Sequence, residues 1–510
     1  MTALILAGVA LHGVLASLTG LSVDESYAVV MGRHLRLSYY DHPPLLFWIP
    51  GLAARLYGSE ASLVVRLPFI LMFVATTWLV YRMGARLFGE RAGLWAALVL
   101  NLTLFFTLNV ACWILPDGPL LLWSAAAALC LAHATHATHD SALGPALGAT
   151  PPRELAAKAR WWLGFGLCSG LALLSKYHGA FLLAGAALFL LTSAPQRPWL
   201  RRPQPYLAAT LTAVVFLPVL IWNAGHGWAS LRFQGGRAVP IEGQGGTPLL
   251  GAVAGQAAWM LPWVWLPLLW VLVTALRRGP RDSPRWLQLC LAIGPIAFFT
   301  LVAAVGRRGL PHWEAPGYFM LLPLLGTAVA GRLERGDRWT RRWLWGCVAG
   351  LAAVLLVIVA QVRSGWATGV VPGLLRLGDP TDDLVQWQPV AAQLREWGYP
   401  RSGVDIAGAT WADAAKLAYA LGPDVLVTSV GEDPRGFEYV QPQSSLVGHD
   451  VLVVARRRPG PEPMVAYAPF FARITALGTI PLLRAGHEQI AVSVYLGQRL
   501  LRPVPPGVPR

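Results

Sequence analysis

The sequence is short of charge. Only 13% of its 510 residues are charged, whereas ordinary soluble domains carry about 25%. Hydrophobic residues make up 55%, and the mean hydropathy is +0.50. That balance excludes a soluble globular chain and indicates a membrane protein. Acidic residues number 26 against 41 basic ones, leaving a net charge of +15. Most basic residues lie in short runs between apolar segments, which is the pattern of membrane topology and not of a phosphate-binding groove. No nucleic-acid partner is expected. Cysteine is scarce too. Cys112, Cys130, Cys168, Cys290 and Cys347 form no CxxC pair, so neither a disulfide framework nor a zinc knuckle follows. All five read as small buried residues. The N-terminal MTALILAGVALHGVLASLTG lacks a basic leader. Its apolar run lies near the lower limit of about 17 residues for a span, and an uncleaved first span is expected.

What is present is a series of apolar runs. They fall near 3–20, 66–87, 92–109, 118–136, 161–175, 179–194, 205–223, 249–275, 286–305, 316–331 and 343–362. This predicts a mainly α polytopic protein with about eleven transmembrane helices. With the N-terminus inside, the inner loops include YRMGARLFGER, PPRELAAKAR, QRPWLRRPQP, RRGPRDSPRW and RLERGDRWTRR. All are rich in Arg, as the positive-inside rule requires. The outer segments are then 21–65, LPDGP, SKYHG, 224–248, GRRGLPHWEAPG and the chain after 363. Two domains are expected: 1–362 in the membrane, with an outer loop at 21–65 holding juxtamembrane helices, and 363–510 outside it. In the second, GVDIAGA, DVLVTSV and HDVLVVARR read as strands, and DAAKLAYALG as a helix ending at Gly422. This is a small extracytoplasmic α/β domain. His133, His136 and His139 in HATHATHD share a helical spacing but lie on the inner side, and they read as the start of a low-complexity loop.

Five polar groups fall on the outer side. VDESYAV holds Asp24 and Glu25. SYYDHPPLLFW holds Asp41 and His42 before Pro43 and Pro44, which predict the start of a short helix. LPDGP holds Asp117, SKYHG holds Lys176 and His178, and LPHWEAPGY holds His312, Trp313 and Glu314. Ionisable groups at a membrane boundary are functional candidates. An acid can take the proton of an acceptor hydroxyl. Lys and His can neutralise a phosphate that leaves with growing charge. The set suits transfer of a group from a lipid-linked phosphate to a hydroxyl. Each residue also has a plain structural role open to it. Asp24 and Glu25 suit a helix N-terminus, and Asp117 suits a turn. Lys176 can snorkel, and His312 with Trp313 can anchor an aromatic belt. Arg232 and Arg237 suit either a donor phosphate or an exposed loop. Arg307 and Arg308 read as headgroup contacts, and WMLPWVWLPLLW as lipid-facing.

The ordered set VDESYAV, YYDHPPLLFWI, LPDGPLLLW, SKYHGAFLL and LPHWEAPGYF resembles the GT-C class of polytopic lipid-linked-sugar glycosyltransferases. The resemblance is to glycosyltransferase family 39 and its bacterial relatives, the aminoarabinose transferases of lipid A and the Rgt-type transferases of lipopolysaccharide core. It covers roughly residues 20–320. The resemblance implies a polyprenyl-phosphate sugar donor, inversion at the anomeric carbon, a bacterial inner-membrane location with the site on the periplasmic side, and a glycolipid or protein acceptor. It places the first-loop acid on Asp24, the general base, with Glu25 orienting the acceptor or Asp24, and the second-loop acid on Asp117. Asp41, His42, Lys176, His178, Arg237, His312 and Trp313 are then expected to bind substrate. Where the aminoarabinose transferases have an acid followed by Lys, this chain has Asp41 and His42, so Lys176 is the better phosphate partner. Those relatives can hold a metal near this acid. A divalent ion here would need Asp41 near His226 or His178, and no ligand set is assigned.

Three other functions stay open on the sequence. A transporter or flippase would tend to show internal repeats and midplane binding groups, and neither is evident. A lipid-binding protein without catalysis would not need both Asp24 and Asp117. A protein O-mannosyltransferase would use a Ser or Thr hydroxyl as acceptor.

Overall fold

The computed structural model describes residues 1–135, 152–236, 248–304, 310–370, 379–431, 433–457 and 466–505. They form two compact units. The first is Met1–Val14, Leu37–Leu46 and Leu67–Ala353; the second is Leu15–Arg36, Phe47–Arg66 and Val354–Arg510. Most of the outer loop, with the adjoining ends of the helices that flank it, therefore groups with the C-terminal part of the chain.

Helices underlie every expected span. In chain order they are α1 (Thr2–Leu18), α2 (Val23–Gly32), α3 (Leu45–Tyr57), α4 (Ser62–Phe88), α5 (Glu90–Asn101), α6 (Asp117–Ala134), α7 (Pro152–Ser175), α8 (Ala180–Thr192), α9 (Gln204–Gly225), α10 (Ala229–Gly236), α11 (Pro248–Met260), α12 (Pro262–Arg278), α13 (Ser283–Ala304), α14 (Ala315–Met320), α15 (Leu322–Glu334) and α16 (Arg338–Ser364). Among the described residues, α4, α6, α9, α13 and α16 are each long and apolar enough to cross a membrane. The SKYHG stretch does separate two helices, through a 3-10 turn at Tyr177–Gly179. The single span expected at 249–275 is instead two helices bent by 108°. Leu261, with φ 65°, and the following Pro262 make the break, since proline offers no N–H to continue the ladder.

In the first unit, small residues let helices approach closely, as they must where lipid removes the hydrophobic drive for helix association. Gly166 of α7 lies against Ala208 of α9, and any side chain there would meet the Ala208 backbone. Thr212 of α9 donates to the Gly166 carbonyl at 2.9 Å. Gly326 of α15 meets Ala92 and Ala96 of α5 in the same way. Of the cysteines, four are buried and Cys130 is half-buried; among the described residues none forms a disulfide.

The second unit carries a five-stranded mixed sheet. Its strands are β1 (Val404–Gly408), β2 (Val427–Ser429), β3 (Asp450–Arg456), β4 (Phe471–Arg484) and β5 (His487–Leu500), in the order β2-β1-β3-β5-β4. β1 pairs in parallel with β2 and β3, while β5 is antiparallel to β3 and β4. The helix between β1 and β2, α19 (Trp411–Leu421), follows α17 (Trp366–Val370) and α18 (Gln388–Glu396) and precedes α20 (Phe437–Val440). It ends at Gly422, φ 97°, where the sequence places its stop. Val451, Val453, Tyr467, Phe471, Tyr495 and Leu500 are part of the core. The three expected strands are present as β1, β2 and β3. The long β4–β5 hairpin is additional.

Candidate active site

The carboxylate of Asp117 stands at the N-terminus of α6, where the helix dipole favours a negative charge. Lys176, at the end of α7, donates from Nζ to Asp117 Oδ1 at 3.0 Å and Oδ2 at 3.1 Å. Both side chains are almost wholly buried, with 7% and 4% exposed. Lys176 is thus not a snorkelling lysine, and Asp117 is more than a turn residue. Removing one partner of such a pair costs about 3–5 kcal/mol, because the other charge stays buried alone.

Next to Lys176, the Tyr177 hydroxyl shares a 2.7 Å hydrogen bond with Ser230 of α10. His178 stacks on Phe299 at 4.6 Å and lies 6.5 Å from Trp313. Its Nε2 is enclosed without a hydrogen-bond partner. Burial, and then the charges of Lys176, His312 and His42, hold its pKa well below the ordinary value. This environment favours the neutral imidazole of His178. These neighbours also show that SKYHG, LPHWEAPGY and YYDHPP meet in the first unit. Asp41 is buried and His42 half-buried. The Asp41 carbonyl accepts a short hydrogen bond from Gln234 of α10, and Tyr40 packs on Phe233 at 4.8 Å. α3 begins directly after Pro43 and Pro44, as expected.

His312 stacks on Phe105 at 5.6 Å, and Trp313 packs on Phe299 at 5.2 Å. Glu314 is 2% exposed. Its Oε1 accepts from Gln256 at 2.9 Å, and Gln256 in turn accepts from the Tyr318 hydroxyl at 2.6 Å. Its Oε2 has no partner, and burial pushes its pKa up to about 7. No motif singles Glu314 out from its neighbours; only the fold gives it this environment. His226 stacks on Trp222 and bonds the Trp222 carbonyl through Nδ1 at 2.7 Å. Among the described residues, no three or more His, Cys, Asp and Glu side chains gather to hold a metal ion. Asp41, His178 and His226 do not make a ligand set. Arg237, His136, His139, Arg307 and Arg308 lie outside the described residues.

The second unit holds the first-loop acids. Ser22 caps α2 by accepting from the Glu25 amide at 3.2 Å, and its own amide donates to Glu25 Oε2 at 2.9 Å. This is the capping box that the spacing S-x-x-E encodes. Arg66 then grips Glu25 from both sides, Nε to Oε1 and Nη2 to Oε2, each at 2.7 Å. Its remaining donors reach the carbonyls of Ala16, Thr19 and Gly20 at 2.8–2.9 Å. Both side chains are 0% exposed. Glu25 is thus held by both the cap and the Arg66 guanidinium. Asp24, on the same turn, is exposed. Nothing in the sequence links Glu25 to Arg66, 41 residues away.

A family model described as dolichyl-phosphate-mannose-protein mannosyltransferase matches residues 41–150 and 154–222. A lipid A galacturonosyltransferase, RgtD, of Rhizobium johnstonii is 27% identical over 311 residues, which is 59% of each chain. An undecaprenyl phosphate-alpha-4-amino-4-deoxy-L-arabinose arabinosyl transferase of Erwinia tasmaniensis is 26% identical over 347 residues, 64% of this chain and 57% of the relative. The chain thus spans less than two thirds of the length of these curated relatives. The crystal structure of ArnT from Cupriavidus metallidurans bound to undecaprenyl phosphate superposes with a TM-score of 0.65 at 17% identity, covering 97% of both chains. The chain is a polytopic membrane protein with the GT-C fold.

Proposed function

We propose that the protein transfers a sugar from a polyprenyl-phosphate donor to a hydroxyl of a glycolipid of the lipid A or lipopolysaccharide-core type, at the outer face of the inner membrane. The observation that carries this reading is the buried Lys176–Asp117 pair set beside His178 and His312. An ammonium has three donors, and Asp117 occupies two acceptor positions around it, so one donor is left for a phosphate oxygen. The reading is supported by the activities for which the relatives are named, which concern lipid A and undecaprenyl-phosphate sugars.

The step balances as a single displacement. The acceptor hydroxyl gives its proton to the carboxylate of Asp24, the general base. Its oxygen attacks the anomeric carbon from the face opposite the phosphate. The bond from that carbon to the phosphate oxygen breaks, and the configuration inverts. Polyprenyl phosphate leaves with the bonding pair, its growing charge met by Lys176. Asp117 holds Lys176 in place and in its charged form. Glu25 supports the turn that bears Asp24. Asp41, His42, His312 and Trp313 contact the sugar or the phosphate; neutral His178 contributes an apolar wall and one nitrogen.

A second reading, transfer to a protein hydroxyl, is favoured by the family model matched at 41–150 and 154–222. One experiment separates the two. Purified protein in nanodiscs is given polyprenyl phosphates bearing 4-amino-4-deoxy-L-arabinose, galacturonic acid or mannose, with lipid A or a Ser/Thr-rich peptide as acceptor. Sugar on lipid A supports the first reading, and sugar on the peptide the second. Release of polyprenyl phosphate with none of the donor and acceptor pairs would oppose both.

A further inference from the structure

Lys occurs in the sequence only at 158, 176 and 416. The proposed reaction uses Lys176. Lys416, on α19 of the C-terminal domain, is equally enclosed, at 2% exposed. It makes no ion pair with a carboxylate among the described salt bridges. Instead, its Nζ donates to the carbonyl of Leu21 at 2.7 Å and to that of Asp383 at 3.1 Å. Burial first, and then the charge of Arg456, push its pKa down to about 7, against the opposing pull of Asp383 and Glu25. A buried amine is costly, and an apolar side chain would fill the space more cheaply. Its position is what sets it apart. Leu21 directly precedes Ser22, the cap of α2, and Asp24 lies in the first turn of that helix.

α2 is held at two further points by the same domain. At its C-terminal end, Arg33 donates to the carbonyls of Ala418 and Gly422 at 3.1 and 3.2 Å. These are carbonyls at the end of α19, where helices lack internal partners. Glu60 holds the other side of Arg33 at 2.7 Å. At its middle, the Tyr27 hydroxyl accepts from the Gly436 amide at 3.0 Å, and the Tyr27 ring lies 5.5 Å from Trp411. A helix of 10 residues is about 15 Å long. Three attachments along that length fix both its tilt and its rotation.

We propose that Lys416 is a positioning residue for the transfer step: from the C-terminal domain it fixes the carbonyl at which α2 begins, and thereby the direction in which Asp24 presents its carboxylate. The inference rests on the reading of Asp24 as general base. It gives the C-terminal domain a part in the chemistry and not merely in acceptor choice. Misplacing a base by about 1 Å costs on the order of 100-fold in rate, so the effect belongs in kcat and not in donor binding.

The test uses full-length Lys416→Met, Tyr27→Phe and Asp24→Asn in nanodiscs, with the polyprenyl-phosphate sugar that wild type consumes. kcat is taken per mole of undecaprenyl phosphate bound, so that misfolded protein does not count. The expected result for Lys416→Met is a kcat at least ~10-fold lower with donor KM within ~2-fold of wild type. Tyr27→Phe, which loses one hydroxyl and keeps its ring packing, is expected to show the same pattern at about 3-fold. Wild-type kcat in a donor-binding Lys416→Met protein would overturn the inference, as would a rise in donor KM with kcat intact. If Lys416→Met does not fold, Tyr27→Phe decides by the same criteria. Full turnover by Asp24→Asn would remove the base assignment itself; an inactive Asp24→Asn beside a fully active Lys416→Met removes only the positioning role.

Discussion

Glu25→Gln separates a structural acid from a catalytic one. The substitution keeps size and shape but removes the charge. Arg66 would then stay fully buried without its ion pair to Glu25, its Nε and Nη2 facing an amide that offers one acceptor oxygen where two stood. Leaving a buried charge unpaired costs about 3–5 kcal/mol. The capping box loses the bond from the Ser22 amide as well, which adds on the order of 1 kcal/mol. At about 2 cal/mol/K of unfolding entropy per residue, a chain of 510 residues shifts by about 1 °C per kcal/mol, so the melting temperature should fall by about 5 °C. Arg66→Met should do similar harm, because it takes the guanidinium donors away from Glu25 and from the carbonyls of Ala16, Thr19 and Gly20. The double variant Glu25→Gln/Arg66→Met should be less destabilised than the sum of the singles, by about 2 kcal/mol or more, since it removes both charges together. Thermal unfolding in detergent, followed by size-exclusion recovery, reads all three. A Glu25→Gln protein that melts like wild type yet has lost turnover would refute the reasoning. It would return Glu25 to the reacting groups.

Two further outcomes follow from the first unit. Lys176→Ala is expected to raise donor KM by about 10–100-fold, the loss of one charge-assisted bond to phosphate, while acceptor KM stays within ~2-fold. Equal losses for donor and acceptor would count against its role as phosphate partner. Glu314 supplies a pH test. Burial raises its pKa from 4.5 to about 7, so the folded chain keeps a proton that the unfolded chain releases in that window. Its contribution is therefore fully present below about 4.5 and is lost as pH rises to about 7, by no more than about 3 kcal/mol. Glu314→Gln should flatten that slope between pH 5 and 7.5. An unchanged slope would show that Glu314 does not titrate there.

The parts of this protein that local chemistry specifies were legible in its sequence. Apolar runs gave the helices, and Gly422 marked the end of α19. The spacing of Ser22 and Glu25 encodes a capping box, and Pro43–Pro44 announces α3. The motifs LPDGP and SKYHG both hold residues of the buried pair, although no spacing links Asp117 to Lys176 across 59 positions. What stayed hidden depends on tertiary contacts. The ion pair of Glu25 with Arg66 is one such contact. The burial of His178 beside Lys176, which favours its neutral form, is another. The break at Leu261 lies inside an unbroken apolar run, where hydropathy is blind to a positive φ. The β4–β5 hairpin left one usable signal, the turn at Ala485 and Gly486, both with φ above zero. Pro481 argues against a strand there, and it is tolerated because β4 lies at the sheet edge.

The central claim is that Asp24 takes the acceptor proton as a lipid-linked sugar is transferred. The most direct test is release of free polyprenyl phosphate by wild type and Asp24→Asn, side by side, in the presence of lipid A and followed by mass spectrometry. Wild type should release polyprenyl phosphate and glycosylate lipid A. Asp24→Asn that is folded and still binds undecaprenyl phosphate should release it at least ~100-fold more slowly. Equal release from both proteins would contradict it.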